Sequence, residues 1–386
     1  MKITRIKTVV VNARMRNWVF VKTETDEGIV GWGEASLEWK TRAVAACIDD
    51  LAPFVVGQDP RRIEHIYQML YRQPFFRGGI VAMSAISGIE QSLWDISGKA
   101  LGVPVYQLLG GAVRDRVRMY DHIGGGTTEG VYLTSDPEVF AELGQQSVQA
   151  GYSAIKALLV PCSAPLETRA QLLAVERAMS RLREAVGDAV DIMVDFHGRT
   201  TPAQAIRYAD CLAPYAPLFI EEPALSENVE GLVRVSQATH VPVAAGERLV
   251  SRFGFRELCE RQAVAVVQPD ICHCGGLFEA RKIAAMAETH YQAVAPHNPL
   301  GPIATAVGVH LGLTVPNFLI LEAMRADVPW REDVVDQPVV VQDGFAEPPA
   351  RPGIGIEVNE REAAKHPFQQ EEIERYFHDD GSVADW

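Results

Sequence analysis

The chain has 386 residues, more than one compact core usually holds, so about two domains are expected. Its apolar and charged fractions, 47% and 22%, are those of an ordinary soluble globular protein. A formal net charge of −14 argues against nucleic acid and anionic membranes as partners, although a metal or local basic groups can still admit an acidic substrate.

No run approaches the roughly 18 apolar residues of a membrane span. The opening Met1-Lys2-Ile3-Thr4-Arg5-Ile6-Lys7 holds no apolar leader core, so a cytoplasmic location is expected. Six cysteines are too sparse for a disulfide scaffold. Cys272-His273-Cys274 lacks a second ligand pair at finger-like spacing, which favours buried thiols over zinc.

Residues 3–11 and 18–25 alternate β-branched and polar side chains, and Asp26-Glu27-Gly28 turns the chain into Ile29–Glu34, an antiparallel meander. Helical periods follow over 40–56 and 60–72, the second opening on Asp59-Pro60 as cap and first helical position. Residues 80–100 set Ile80, Met83, Ile86, Ile89, Leu93 and Ile96 on one helix face. Residues 1–115 thus form an α+β domain.

From Arg116 strands and helices alternate. A strand over 116–121 precedes the loop Gly124-Gly125-Gly126, a helix covers 136–150, and a second strand spans Ser153–Leu158. A helix over 165–186 leads through Asp191-Ile192-Met193 into Val194-Asp195-Phe196-His197-Gly198-Arg199, and helices near 202–214, 228–238, 251–262, 276–290 and 301–314 separate further short apolar strands. Eight strands at a period near 25 residues fit a (β/α)8-type barrel over 116–325. A doubly wound sheet would instead gather its ligand at one switch point. The pattern dissolves after Glu322, and 326–386 is expected to pack back on the first domain.

One ionisable residue closes each successive strand: Asp195, Glu221, Glu247, Asp270, His297 and Glu322, at steps of 26, 26, 23, 27 and 25 residues. A closed barrel brings such residues to one mouth. Asp195, Glu221 and Glu247 on adjacent strands would repel one another unless a cation sat between them, and oxygen-only ligands select Mg²⁺ or Mn²⁺. Glu221 is preferred to Glu222 because it follows Ile220. Asp270 beside His297 would fix the imidazole tautomer and leave the other nitrogen as a general base. Two residues apart on a strand, Asp195 and His197 would share a face, so one histidine can remove a proton while the other delivers one. Glu322 is read as hydrogen bonding to substrate or intermediate. Lys156 and Arg248 could offset enolate charge; for Lys156, neutralising its carboxylate neighbours is the alternative.

Several motifs now combine. Asp-Phe-His-Gly-Arg (195–199), Ile-Glu-Glu-Pro (220–223), Ala-Gly-Glu-Arg (245–248), Gln-Pro-Asp (268–270) and Ala-Pro-His-Asn-Pro-Leu-Gly-Pro (295–302) resemble the mandelate racemase branch of the enolase superfamily, most of all the D-galactonate dehydratases and related acid-sugar dehydratases. Thr-Asp-Glu-Gly-Ile-Val-Gly-Trp-Gly-Glu (25–34), Arg77-Gly78-Gly79, Trp94-Asp95-Ile96 and Pro352–Glu357 extend the likeness over the whole chain. The resemblance implies a modified TIM barrel, (β/α)7β, under an N-terminal α+β capping domain completed by the C-terminal segment. It implies one Mg²⁺ per subunit on Asp195, Glu221 and Glu247, and His297–Asp270 as the base that takes the proton α to a carboxylate. His197 would be the acid on the departing β-hydroxyl, yielding a 2-keto-3-deoxy acid, with Glu322 near the substrate. A homo-oligomer, such as an octamer, is suggested.

Two departures bear on substrate. Racemases end the second strand in Lys-x-Lys; here it reads Lys156-Ala157-Leu158, which disfavours two-base racemisation. The apolar wall Leu158-Leu159-Val160-Pro161-Cys162 argues against galactonate itself, though not against dehydration. Asn17-Trp18 and Trp39-Lys40, expected in capping-domain loops, are candidates for substrate selection. The alternatives are an epimerase or cycloisomerase using the same enediolate, a Schiff-base aldolase through Lys156, or a member that binds without turnover.

Overall fold

The computed structural model describes residues 1–124, 126–325, 327–371, 375–378 and 380–385; Gly125, in the loop after the first barrel strand, lies outside the described residues. The N-terminal part opens with an antiparallel meander, β1 (Ile3–Ala13), β2 (Arg16–Thr25) and β3 (Val30–Glu34), followed by helices α1 (Thr41–Val55), α2 (Ile63–Arg72) and α3 (Gly79–Leu101). The apolar stripe of α3 faces the meander: Met83, Ile86, Ile89, Leu93 and Ile96 share one core with Val19, Val21, Val44 and Ile48. So close an approach needs glycine, since a Cβ on Gly31 or Gly33 would stand 2.1 or 2.0 Å from the carbonyl oxygens of Ser92 and Gly88. The predicted helix start at Pro60 is displaced. Asp59 accepts the Arg61 backbone N–H (3.0 Å) and pairs with its guanidinium (2.7 Å), holding a turn, and α2 begins only at Ile63.

After the short α4 (Val105–Leu108) the chain runs β4 (Val117–His122), α5 (Pro137–Gln149), β5 (Ala154–Ala157), α6 (Arg169–Val186), β6 (Asp191–Asp195), α7 (Pro202–Leu212) and β7 (Phe219–Glu221). It continues α8 (Val229–Ala238), β8 (Val243–Ala245), α9 (Ser251–Glu260), β9 (Val266–Val267), α10 (Leu277–Glu288), β10 (Ala293–Val294), α11 (Pro302–Thr314) and β11 (Leu321–Ala323). Strands β4 to β10 pair in parallel in chain order, and β11 lies parallel beside β4. The ring closes where Val294 N–H donates to Asn317 O (2.9 Å) and Leu319 N–H to Val294 O (2.7 Å). This is a (β/α)7β barrel.

The barrel interior positions the site. Tyr120, Ala154, Met193, Phe219, Ala244, Val266, Ala295 and Ile320, one from each strand or its end, pack together. Side chains two residues apart share a face, so the next inward positions toward the C-terminal mouth are His122, Lys156, Asp195, Glu221, Gly246, Gln268, His297 and Glu322.

Beyond the barrel, the hairpin β12 (Val341–Gln342) and β13 (Phe345–Ala346) pairs with β4, and α12 (Glu360–Ala363) follows. Residues 354–371 lie on the N-terminal part: Ile354 N–H donates to Asp95 (2.9 Å), Trp32 Nε1 to Glu357 (2.8 Å), and Asn17 N–H and Thr41 Oγ1 to Glu371 (3.1 and 3.2 Å). The end of the chain then returns to the barrel, where Cys162 Sγ meets Asp385 O at 3.2 Å and the Arg199 guanidinium lies 5.3 Å from the Tyr376 ring. No described helix is long and apolar enough to cross a membrane.

Candidate active site

Asp195 and Glu221 end β6 and β7, while Glu247 lies two residues past β8, and Asp270 and His297 each lie three past β9 and β10. The even spacing therefore marks loop positions as well as strand ends. Gly246 makes the turn toward Glu247: its φ is +144°, and a Cβ there would meet Phe255 at 2.7 Å and the Gln268 backbone at 3.0 Å.

Lys156 is buried among the acids. Its Nζ lies 2.5 Å from Glu221 Oε1, 2.8 Å from Glu322 Oε1 and 3.6 Å from Asp195 Oδ2. Burial disfavours the ammonium, but Glu221 and Glu322 outweigh it and hold the lysine well above its ordinary value. Such a lysine stays protonated and is a poor Schiff-base nucleophile. Gln268 Nε2 donates to the other Glu221 oxygen (2.7 Å). Even so, burial, and after it the charges of Asp195, Glu247 and Glu322, push Glu221 well up against the pull of Lys156. Burial with Glu222 and Asp195 does the same to Glu247, whose Oε2 is buried and accepts no hydrogen bond among the described residues. For Asp195 burial is outweighed by Lys156, His197 and His122, and the group sits below its usual value. Among the described residues, no three His, Cys, Asp or Glu side chains close into a ligand cage. The all-oxygen donor set, its mutual repulsion and the orphaned Glu247 oxygen nonetheless fit a hard cation.

The histidines stand on opposite walls. His297 Nδ1 lies 2.8 Å from Asp270 Oδ2, and its Nε2 is 3.7 Å from Glu247. Asp270 is itself fixed by the Cys272 backbone N–H (2.6 Å). Burial pulls the His297 ring down, but the Asp270 hydrogen bond and the charges of Glu322 and Asp270 carry it above the usual histidine value. His197 corrects the strand-face expectation: β6 ends at Asp195, and His197 has φ +55°, so it faces the mouth through a left-handed turn rather than the pleat. Its backbone N–H donates to Asp195 Oδ1 (2.7 Å), and its ring centroid is 5.5 Å from that of Tyr132. Burial pushes this imidazole down to about 3, the Arg248, Arg199 and Lys156 charges adding to it against Asp195. Arg248 holds the turn, its Nε 2.6 Å from Glu222 and its Nη2 donating to His197 O (3.0 Å).

Other expected residues are placed differently. Glu322 uses Oε2 to accept the Asn298 backbone N–H (2.8 Å) and Oε1 on Lys156, so it braces the loop bearing His297. Asn17 and Trp18 are not in a loop: the hairpin turn falls at Arg14–Met15, and both lie buried on β2. Asn17 spends its amide on Gln369 O (2.9 Å), and Trp18 lies under Arg331 in the core. Cys272 and Cys274 are buried free thiols, and His273 turns to Ser84 (2.9 Å) and Asp270 (3.5 Å). His122, with Nδ1 3.2 Å from Glu322, and Gln268 escaped the sequence reading, although counting two residues on from each inward apolar position finds both. Tyr132, whose ring lies beside His197, and the Arg16–Glu38 pair, which reaches the His297 loop from the first residue of β2, carried no periodic signal.

Residues 139–363 match the enolase C-terminal domain-like family, and residues 2–110 match the mandelate racemase / muconate lactonizing enzyme N-terminal domain. The chain belongs to the enolase superfamily. It is 42% identical over 396 residues to the D-galactonate dehydratase of Pectobacterium atrosepticum and 41% identical over 397 residues to that of Ralstonia nicotianae, with 100% of both chains covered in each case. The solved structure of an enolase from Agrobacterium radiobacter, with Na and L-malate bound, matches at TM-score 0.92 and 34% identity over 100% of both chains.

Proposed function

We propose that this enolase-superfamily member is a Mg²⁺-dependent acid-sugar dehydratase, a hydro-lyase turning a galactonate-like aldonate into a 2-keto-3-deoxy acid. The observation that carries this reading is one buried mouth holding three repelling carboxylates between two imidazoles in opposite environments. Full-length likeness to D-galactonate dehydratases supports the reaction class. Asp195, Glu221 and Glu247 would hold the ion. When bound, it supplies the positive charge that makes a proton α to a carboxylate removable.

The remaining work falls to the chain. His297, anchored through Nδ1 on Asp270, takes the α-proton at Nε2. Glu322 keeps the adjacent Asn298 backbone in place, and Lys156 balances the acids around it. His197, on the opposite wall, gives a proton to the departing β-hydroxyl, which leaves as water. The enol then tautomerises to the keto acid.

The resting charges favour a second assignment of the same two rings. The Asp270 hydrogen bond and nearby charges raise His297 against burial, whereas burial holds His197 near 3, so the neutral His197 ring could be the base. α-Deuterium exchange in ring variants separates the two.

To the same proposal belong a cap made by 1–115 and 326–386 over a 116–325 barrel, a homo-oligomer such as an octamer, and a cytoplasmic location. The reading is tested by ¹H NMR of aldonates incubated with protein and Mg²⁺ in D₂O. A 2-keto-3-deoxy product is expected. Epimer or α-deuterated substrate without it would point to an epimerase, and no change across the panel would leave a binding protein.

A further inference from the structure

The cavity has a roof as well as a metal pole. Arg16, just past the β1–β2 turn and only 2% exposed, reaches toward the barrel. Its Nη1 donates to Pro299 O, two residues after His297, and lies 2.9 Å from Glu38 Oε1. Its Nη2 is buried and, among the described residues, donates to nothing. An unpaired donor in such a place is costly, so it marks where an acceptor belongs.

Tyr132 links this roof to the chemistry. Its ring rests beside His197, and burial with the Glu38, Asp195 and Glu247 charges pushes its hydroxyl up against the pull of Arg16. Burial lowers His273, which lies 3.5 Å from Asp270, and the Asp270 and Glu38 charges work against it. A ligand with its carboxylate at the metal pole and its α-carbon under the histidines would therefore send its far end toward Arg16.

We infer that Arg16, already neutralised by Glu38 and flanked by Tyr132, reads the far end of the substrate as a neutral hydroxyl, so the site takes monocarboxylate aldonates and rejects aldarates. This rests on the acid-sugar reading above. The charge balance decides it. A lone guanidinium would welcome a second carboxylate, whereas here that carboxylate would meet the Glu38 charge and compete with it for the guanidinium. A hydroxyl needs only one of the Nη2 N–H groups and brings no charge.

The test is calorimetric titration of Mg²⁺-loaded full-length protein with matched six-carbon pairs, D-galactonate against galactarate and D-gluconate against D-glucarate, alongside kcat/KM for each. The wild type is expected to bind one aldonate at least about tenfold more tightly than its aldarate. Glu38→Gln removes the competing charge and should move that ratio about tenfold toward the aldarate, chiefly by tightening it. Arg16→Lys, which keeps the charge but loses the fork, should weaken the aldonate about tenfold. Equal affinity for both members of a pair, or a Glu38→Gln ratio that stays put, overturns the inference even if the wild type dehydrates aldonates. The expected ratios without turnover would sink the dehydratase reading alone, and failure to bind any of the four sinks both.

Discussion

The two walls of the mouth hold their histidines by different means. On the β9–β10 side, His297 is set by side chains: Asp270 grips its Nδ1, the Cys272 N–H grips Asp270, and Glu322 grips the next backbone amide. On the β6 side, His197 is set by backbone: a left-handed turn, its own N–H on Asp195, and its carbonyl on Arg248. The first arrangement concentrates control in one carboxylate, so its basicity can be tuned by a single residue. The second spreads control over burial and three cations, so no single substitution resets it.

Ring replacement should separate the walls most strongly. His297→Asn is expected to lower keto-deoxy product formation by about 10³-fold and to abolish α-deuterium incorporation. His197→Asn should lower product formation comparably while leaving α-exchange in place. NMR in D₂O reads both quantities at once. Exchange that survives in His297→Asn and vanishes in His197→Asn would reverse the acid and base assignments, as the resting charges allow.

Asp270→Asn is the next test, with a smaller effect of about 10- to 100-fold on kcat/KM. Asp270 holds His297 above its ordinary value, so removing that charge lets burial pull the ring down. A base must be unprotonated, and activity is lost as pH falls through its pKa. The acidic limb of the kcat/KM profile should therefore move to lower pH in Asp270→Asn. A limb that does not move would show that His297 is not the group titrating there.

The same contrast explains what could be read from the sequence. Strand alternation is a local rule, and it carries inward apolar residues such as Met193 and Phe219 straight to Asp195 and Glu221 two positions on. The rule stops where the strand stops. It therefore failed for His197, which a positive φ places, and was silent about Tyr132 and Arg16, whose places depend on how the N-terminal part sits on the barrel. Trp18 was misread for a related reason. An aromatic beside a turn looks like a binding residue, yet the turn ends three residues earlier, at Met15, and the pleat buries the ring. Asp59-Pro60 is a strong start signal overruled by one arginine two residues on.

The smallest expected effect concerns what stands behind the His297 wall. Glu90 on α3 accepts the Leu277 and Phe278 N–H groups (2.8 and 3.0 Å) at the start of α10, the helix after the Asp270 loop, and also Trp94 Nε1 (2.7 Å). Burial pushes this carboxyl up to about 7 despite those donors. An acid whose folded pKa is raised contributes stability that is complete below the unfolded value near 4.5 and is lost as pH rises through about 7. The loss amounts to at most about 3 kcal/mol. Glu90→Gln cannot ionise, and its amide presents one acceptor where two oxygens now serve three donors. It should thus be less stable than wild type near pH 5, by about 1 kcal/mol, and more stable than wild type above pH 7, by up to about 2 kcal/mol. Melting temperatures of the two proteins from pH 5 to 8 check this. Parallel curves would mean that Glu90 does not titrate between pH 5 and 8.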